Sequence, residues 1–260
     1  MSKLSASPET EEEFNNRIIR RKTFISFLFF FSFIGTGIYL WKWLLRQPLD
    51  GDIRGGILQP LRTGLQWNEK LFGETFSKDK LVKTYPVSEA AKNVRVNGNY
   101  GMSEDFDPAS WKLNLAKKSG DVLTISLDEI KQIKKTDIVF DFKCIEGWSQ
   151  VSWWGGVRFS DFMEHFHLEE EWKLRFAGLS TVDEDYYVGI DMPSALHPQT
   201  ILCYEMNGKD LPLEHGYPLR LIIPVKYGVK SIKRIGNISF TDEAPADYWA
   251  ERGYDYYIGL

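Results

Sequence analysis

Two stretches of this chain hold side chains whose types and spacing could do chemistry. The first is Phe142-Lys143-Cys144-Ile145-Glu146-Gly147-Trp148-Ser149. It puts a cysteine where an apolar strand gives way to a loop, with an exposed sulfur. A thiolate there suits a soft, redox-active metal better than a hard ion. Alone the signal is weak, because a lone cysteine after an apolar strand is more often a small buried hydrophobe. The second stretch runs His215-Gly-Tyr-Pro-Leu-Arg220, then Lys226-Tyr-Gly-Val-Lys-Ser-Ile-Lys233. Its glycines allow backbone to approach a ligand closely. An arginine fork, lysine point charges and backbone N–H groups together fit a phosphate or a polar heterocycle. A solvated basic face on an edge strand is the plainer alternative.

Around these, Trp148, Trp153 and Trp154 could form a hydrophobic wall beside the first stretch, or could be core. Glu146 could donate a proton or anchor its loop. His165, His167 and His197 lack the spacing of a metal site and read as structural. Cys203, in the strand Thr200-Ile-Leu-Cys-Tyr, reads as buried and inert, and Glu169-Glu170-Glu171 as a solvated acidic turn. Neither cysteine lies in a Cys-x-x-Cys pattern, which removes zinc ribbons, thioredoxin-type pairs and attached haem. The two could form one disulfide in an exported domain.

These residues must be positioned by a domain that reads as α+β, mostly β. Strands are expected at 111–115, 122–125, 138–142, 174–176, 201–205, 219–223 and 232–240. Ser126-Leu-Asp-Glu129 is a capping box opening a short helix to about Ile133. A second helix is expected over 160–166, and Asp191-Met-Pro-Ser-Ala195 reads as a capped helical turn. The stretch from Pro48 to about Pro86 has little periodicity and reads as a connector or stalk. No Rossmann or P-loop glycine pattern occurs, so a nicotinamide or nucleotide enzyme is not expected.

The 260 residues are 43% hydrophobic and 15% aromatic, which marks a globular chain with a sizeable core. The formal charge of −4 argues against a nucleic-acid partner. Phe24 to Leu45 is apolar, with one charge at Lys42, and is long enough to cross a bilayer. Arg17, Arg20, Arg21 and Lys22 precede it, so the positive-inside rule puts the N-terminus in the cytoplasm and the rest outside. Arg20-Arg21 loosely resembles a twin-arginine export signal, with the phenylalanine spacing off by one; it reads equally as the topology-setting cluster. No small-x-small cleavage site follows, which favours a retained anchor. The expected division is 1–22 cytoplasmic, 23–45 transmembrane, 46–90 connector and 91–260 globular domain.

The two reactive stretches, in this order and separation, resemble the molybdopterin-binding domain of the sulfite oxidase superfamily, and within it the periplasmic protein-methionine-sulfoxide reductases. The resemblance runs from about Val94 to the C-terminus. It rests on Cys-x-Glu-x-Trp-Ser after a strand, Ala195-Leu-His-Pro198, Gly-x-Pro-x-Arg-Leu-Ile-x-Pro-x-Lys-Tyr-Gly-x-Lys-x-Ile-Lys, and the ending from Pro245 to Tyr257.

That resemblance implies a sulfite-oxidase-type fold behind one transmembrane helix, and a molybdenum–molybdopterin cofactor. Cys144 would be the protein thiolate on the metal, with the pterin dithiolene supplying two more sulfurs. Asn97, Tyr100 and Gly101 would contact the cofactor near its N-terminal strand. His215 and Arg220 would form the pterin and phosphate pair, and Ser231, Ile232 and Lys233 a second phosphate-contacting turn. A threonine contact would lie near 178–181.

The chain also departs from the family. The reductases carry asparagine where His215 stands, and a tyrosine–glutamate pair where this chain has Tyr100-Gly101. Histidine at that place is what sulfite oxidases use, yet they carry arginine close behind the cysteine, which suits an anion. Here Glu146 and Trp148 follow, better matched to a neutral sulfoxide. The expected activity is two-electron oxygen-atom transfer outside the membrane, with sulfoxides such as protein methionine sulfoxide as substrate. Cys144 and Glu146 are the expected catalytic residues, and a membrane haem protein or c-type cytochrome the electron partner. Sulfite-oxidase-like oxidation, or a non-catalytic anchored subunit that keeps the fold, are the alternatives.

Overall fold

The apolar run behind the basic cluster folds as one helix, α1 (Glu11–Leu44), in the computed structural model, which describes residues 10–50, 56–77 and 79–260. The expected cytoplasmic segment therefore lies partly outside the described residues, over 1–9. So do residues 51–55 and 78 of the expected connector. Among the described residues α1 is the one helix long and apolar enough to cross a membrane, by its stretch Phe14–Leu44. It starts at Glu11 rather than residue 23, so Arg17, Arg20, Arg21 and Lys22 are helical too. The chain divides into two compact units. Of the described residues, the first holds 10–50 and 58–60, and the second 56–57 and 61–260.

The expected connector contains a helix, α2 (Gln59–Thr75). Pro60 is tolerated in its first turn. Gly64 and Gly73 weaken the helical signal inside it, which is why the stretch reads as irregular in sequence. Among the described residues from Phe76 to Ser110 there is no long element, and contacts of Val82 to Ala91 hold the stretch to the domain. Gln199 clamps Val82 through both its N–H and C=O, at 2.7 and 2.9 Å. Tyr85 and Ala91 donate their backbone N–H groups to Val139 and Val151.

The second unit is built on two five-stranded sheets. β1 (Leu113–Ala116) and β2 (Val122–Ile125) lead into α3 (Leu127–Lys131), whose capping box forms as expected: the Ser126 and Glu129 side chains each bond the other's backbone N–H. Next come β3 (Lys135–Lys143), β4 (Ser149–Arg158), α4 (Phe159–His165), β5 (Phe176–Thr181) and β6 (Tyr187–Asp191). α5 (Met192–Ala195) is capped by Asp191, which accepts from Ser194 N–H at 3.0 Å. β7 (Ile201–Met206), β8 (Lys209–Asp210), β9 (Arg220–Ile222) and β10 (Ile235–Thr241) complete the strands.

One sheet has the order β2-β1-β10-β5-β6, with β1 and β10 parallel. The other runs β3-β4-β7-β8, with β9 also on β7. The main core, including Leu113, Ile130, Phe162, Leu179, Leu221 and Ile238, packs helices and both sheets together. A smaller one gathers Phe140, Phe142, Trp154, Ile201 and Cys203.

β4, β6 and β8 were not expected, and the strand expected over 174–176 begins only at Phe176 and runs on to Thr181. Ser149–Arg158 contains the pair Gly155-Gly156, which reads as a loop, yet β4 is an interior strand paired on both sides. The glycine is needed because a Cβ at Gly156 would lie 2.1 Å from the Leu202 carbonyl oxygen.

Candidate cofactor site

β3 delivers Cys144 to the tip of the β3–β4 hairpin. Lys143 pairs with Ser149, Cys144 N–H donates to Trp148 O at 2.9 Å, and Gly147 N–H returns to Cys144 O at 3.1 Å. Gly147 sits at φ +88°, which closes this five-residue turn without strain. The turn meets the 228–233 segment directly. A Cβ at Gly228 would come within 2.6 Å of the Phe142 ring, so only glycine lets the two stretches approach so closely. Between them and the Asn97–Tyr100 loop lies a cavity of about 270 Å³.

Seven of the ten expected site residues line it: Asn97, Tyr100, Cys144, Glu146, Ser231, Ile232 and Lys233. The other three stand behind the wall. Gly101, at φ +68°, packs against Thr181, where a Cβ would meet the threonine side chain at 2.4 Å. Thr181, inside the stretch expected to supply a threonine contact, is buried and bonded to Asp183 and Tyr186 instead. Arg220 does not reach the cavity as an anion fork. Its Nη1 donates to His215 O and its Nη2 to Ser231 O, both at 3.0 Å, which ties the two reactive turns to each other. His215 is buried with Nδ1 unpartnered, its ring edge-on to Trp154.

Burial, then Arg220 and Lys233, depress the His215 pKa to about 4, so the imidazole is neutral at pH 7. Lys233 Nζ donates to the carbonyls of Gly98 and Glu214 at 2.8 and 2.9 Å and pulls the 97–98 loop over the cavity. Its pKa is lowered to about 7, first by burial and then by Arg220. Burial alone brings Arg220 down to about 10. Among the described residues neither cation is in a salt bridge; carbonyls alone receive their N–H groups. Cys144 is 5% exposed, and burial raises its thiol pKa, while the backbone N–H groups of Glu146 and Ile145 act the other way.

A cysteine sulfur, a buried surplus of positive charge and a polar loop converge on one cavity. The sequence between them matches the family described as "Oxidoreductase molybdopterin binding domain" over residues 100–249. The chain belongs to that family. It is 34% identical over 196 residues, 75% of this chain and 74% of the relative, to a protein of Azospira oryzae provisionally named protein-methionine-sulfoxide reductase subunit YedZ1. It is 32% identical to the protein-methionine-sulfoxide reductase catalytic subunit MsrP of Campylobacter jejuni, over 61% of this chain and 59% of that protein. Among solved structures, the sulfane dehydrogenase SoxCD of Paracoccus pantotrophus aligns with a TM-score of 0.48 at 17% identity, over 54% of this chain and 40% of that one.

A molybdopterin group fits the residues present. Carbonyl-held cations with no carboxylate partner are what a buried phosphate requires, and a thiol at the cavity wall offers a soft ligand. The aromatic wall differs from the one expected. Trp154 is core, Trp153 bonds Asp137, and Trp148 stacks on Phe142 and beneath Arg95. Tyr100, Tyr186, Trp249 and Tyr254 line the cavity instead. Tyr100 meets Trp249 edge-on at 5.8 Å, Trp249 meets Tyr254 at 5.1 Å, and Tyr186 Oη is fixed by Val229 O at 2.6 Å. These come from distant segments with no spacing to announce them. Glu146 is held by the Trp148 indole N–H at 2.9 Å.

Two further expectations need correction. Lys226 and Lys230 do not serve the cavity: they pair with Asp191 at 2.8 Å and Asp247 at 2.5 Å. Glu171 is buried rather than solvated and accepts from Lys118 N–H. Cys144 and Cys203 are both free.

Proposed function

We propose that this chain is a molybdenum–molybdopterin oxidoreductase that reduces sulfoxides, protein methionine sulfoxide among them, outside the cytoplasmic membrane. The observation that carries this reading is the single cavity shared by Cys144 and the Ser231–Lys233 turn. Cys144 is the metal ligand, and binding a metal replaces the thiol proton that burial otherwise retains. Lys233, Ser231 and the Asn97–Gly98 backbone hold the pterin's phosphate and ring edge, with His215 and Arg220 bracing those turns from behind. The bound cofactor supplies two-electron oxygen-atom transfer, and the protein supplies orientation and electrostatics.

Tyr100, Trp249 and Tyr254 offer ring faces and edges to a thioether or sulfoxide sulfur, a contact such groups favour. Glu146, positioned by Trp148, stands at the same wall, where its carboxyl would pass protons to the oxygen atom given up by the substrate. A carboxylate there disfavours an anionic substrate. The names of the two bacterial relatives support the same substrate class.

Residues 91–260 form the catalytic domain, and 46–90 join it to the anchor. α1 is a retained anchor with Arg17, Arg20, Arg21 and Lys22 on the cytoplasmic side. Electrons come from a membrane haem protein or a c-type cytochrome. Holoenzyme supplied with a reduced dye is expected to convert methionine sulfoxide to methionine, and with an oxidised acceptor to leave sulfite unchanged. Sulfite oxidation with no sulfoxide turnover would reverse the assignment.

A further inference from the structure

α2 has two unlike faces. Arg62 and Glu69 lie on one side of its wheel, about two turns apart. Arg62 donates to Tyr254 O at 2.9 Å and Ala250 O at 2.6 Å, so this face grips the C-terminal segment that supplies Trp249 and Tyr254 to the cavity. Burial and the nearby Asp255 raise the Glu69 pKa, as expected of a carboxyl packed against the domain. The other side carries Leu61, Trp67, Leu71 and Phe72, at the spacing of one wide apolar stripe. Trp67 is 68% exposed, Leu71 57% and Phe72 56%, and no α2 residue is fully buried.

Where α2 begins is also fixed. In the first unit Leu49 bridges Leu58, and Gln59 N–H donates to Pro48 O at 2.9 Å. Pro48 lies four residues beyond Leu44, the last residue of α1, so its bond to Gln59 holds the start of α2 within about 20 Å of that end.

We propose that α2 is an in-plane membrane helix, whose Trp67–Leu71–Phe72 face rests in the headgroup and upper acyl region of the bilayer that α1 crosses. An amphipathic helix with tryptophan on its apolar side, starting beside the end of a membrane span, meets lipid before any other apolar phase. The inference rests on the anchor reading of α1.

The full-length holoenzyme is reconstituted in phosphatidylcholine vesicles whose acyl chains carry bromine at shallow carbons, and tryptophan quenching is compared among variants. Trp67→Phe is expected to remove roughly a third of the lipid-quenchable emission, Trp41 and Trp43 of α1 supplying the rest. If Trp67→Phe instead removes emission that only aqueous acrylamide quenches, the face lies in water and the proposal fails. If it removes emission that neither agent reaches, a protein covers the face, and the lipid assignment fails as well. The Trp41→Phe/Trp43→Phe double variant reads the anchor separately. If it leaves lipid quenching unchanged, the anchor reading itself is wrong, whatever Trp67 reports.

Discussion

Lys230 and Lys233 stand on one short turn, both are buried, and they end in opposite electrostatic settings. Lys230 is clasped by Asp247 at 2.5 Å and by Gly189 O at 2.8 Å, with the Tyr256 ring beneath it. Lys233 meets only carbonyl oxygens and faces the cavity. A buried pair complete within the chain holds structure together. A buried cation without its counter-charge is disfavoured alone, and so marks a place reserved for an anionic ligand. Lys226 resembles Lys230 in having its own carboxylate, Asp191, although burial still lowers its pKa to about 8.

The largest expected effect tests the structural half of that contrast. Lys230→Met leaves Asp247 buried without its partner and should destabilise the domain by about 3–5 kcal/mol in chemical denaturation. Lys233→Met should cost less than about 2 kcal/mol in cofactor-free protein, since relief of desolvation offsets two lost carbonyl bonds. It should nonetheless lower retained molybdenum by about tenfold or more. Equal losses of stability in the two variants would erase the distinction.

A smaller effect follows from pH. The folded, cofactor-free protein holds the Lys233 pKa near 7, against 10.5 for an unperturbed lysine. Between those values the unfolded chain binds more protons, so this group makes apo stability rise with pH from about 7 upward. A bound anion raises the Lys233 pKa, so cofactor binding takes up a proton above pH 7, and affinity should fall as pH rises. Dissociation rates measured between pH 6 and 9 check this, and a flat profile in the wild type would exclude Lys233 from the anion site.

What was legible in the sequence follows from how local each signal is. The Ser126–Glu129 box and the Asp191 cap are set by neighbours in the chain, and both form as written. The strand into Cys144 was visible from its apolar run. β4 was hidden because Gly155 and Gly156 look like loop residues until the neighbouring strand shows why no Cβ fits. Which lysine of the 226–233 run meets a carboxylate depends on Asp191 and Asp247, far away in sequence, and no spacing rule reports that. Tyr186, Trp249 and Tyr254 were missed for the same reason, as tertiary packing alone gathers them.

The same lesson separates the two cysteines. Cys203 is fully buried, its thiol pushed up to about 12 and bonded to Glu205 O at 3.1 Å, while Cys144 opens on the cavity beside Lys233. The most direct test is the molybdenum-to-protein ratio, by elemental analysis, of Cys144→Ser beside Cys203→Ser. Cys144→Ser is expected to fall to background while Cys203→Ser stays near the wild-type ratio. A Cys144→Ser protein that keeps its full complement of molybdenum would contradict the account.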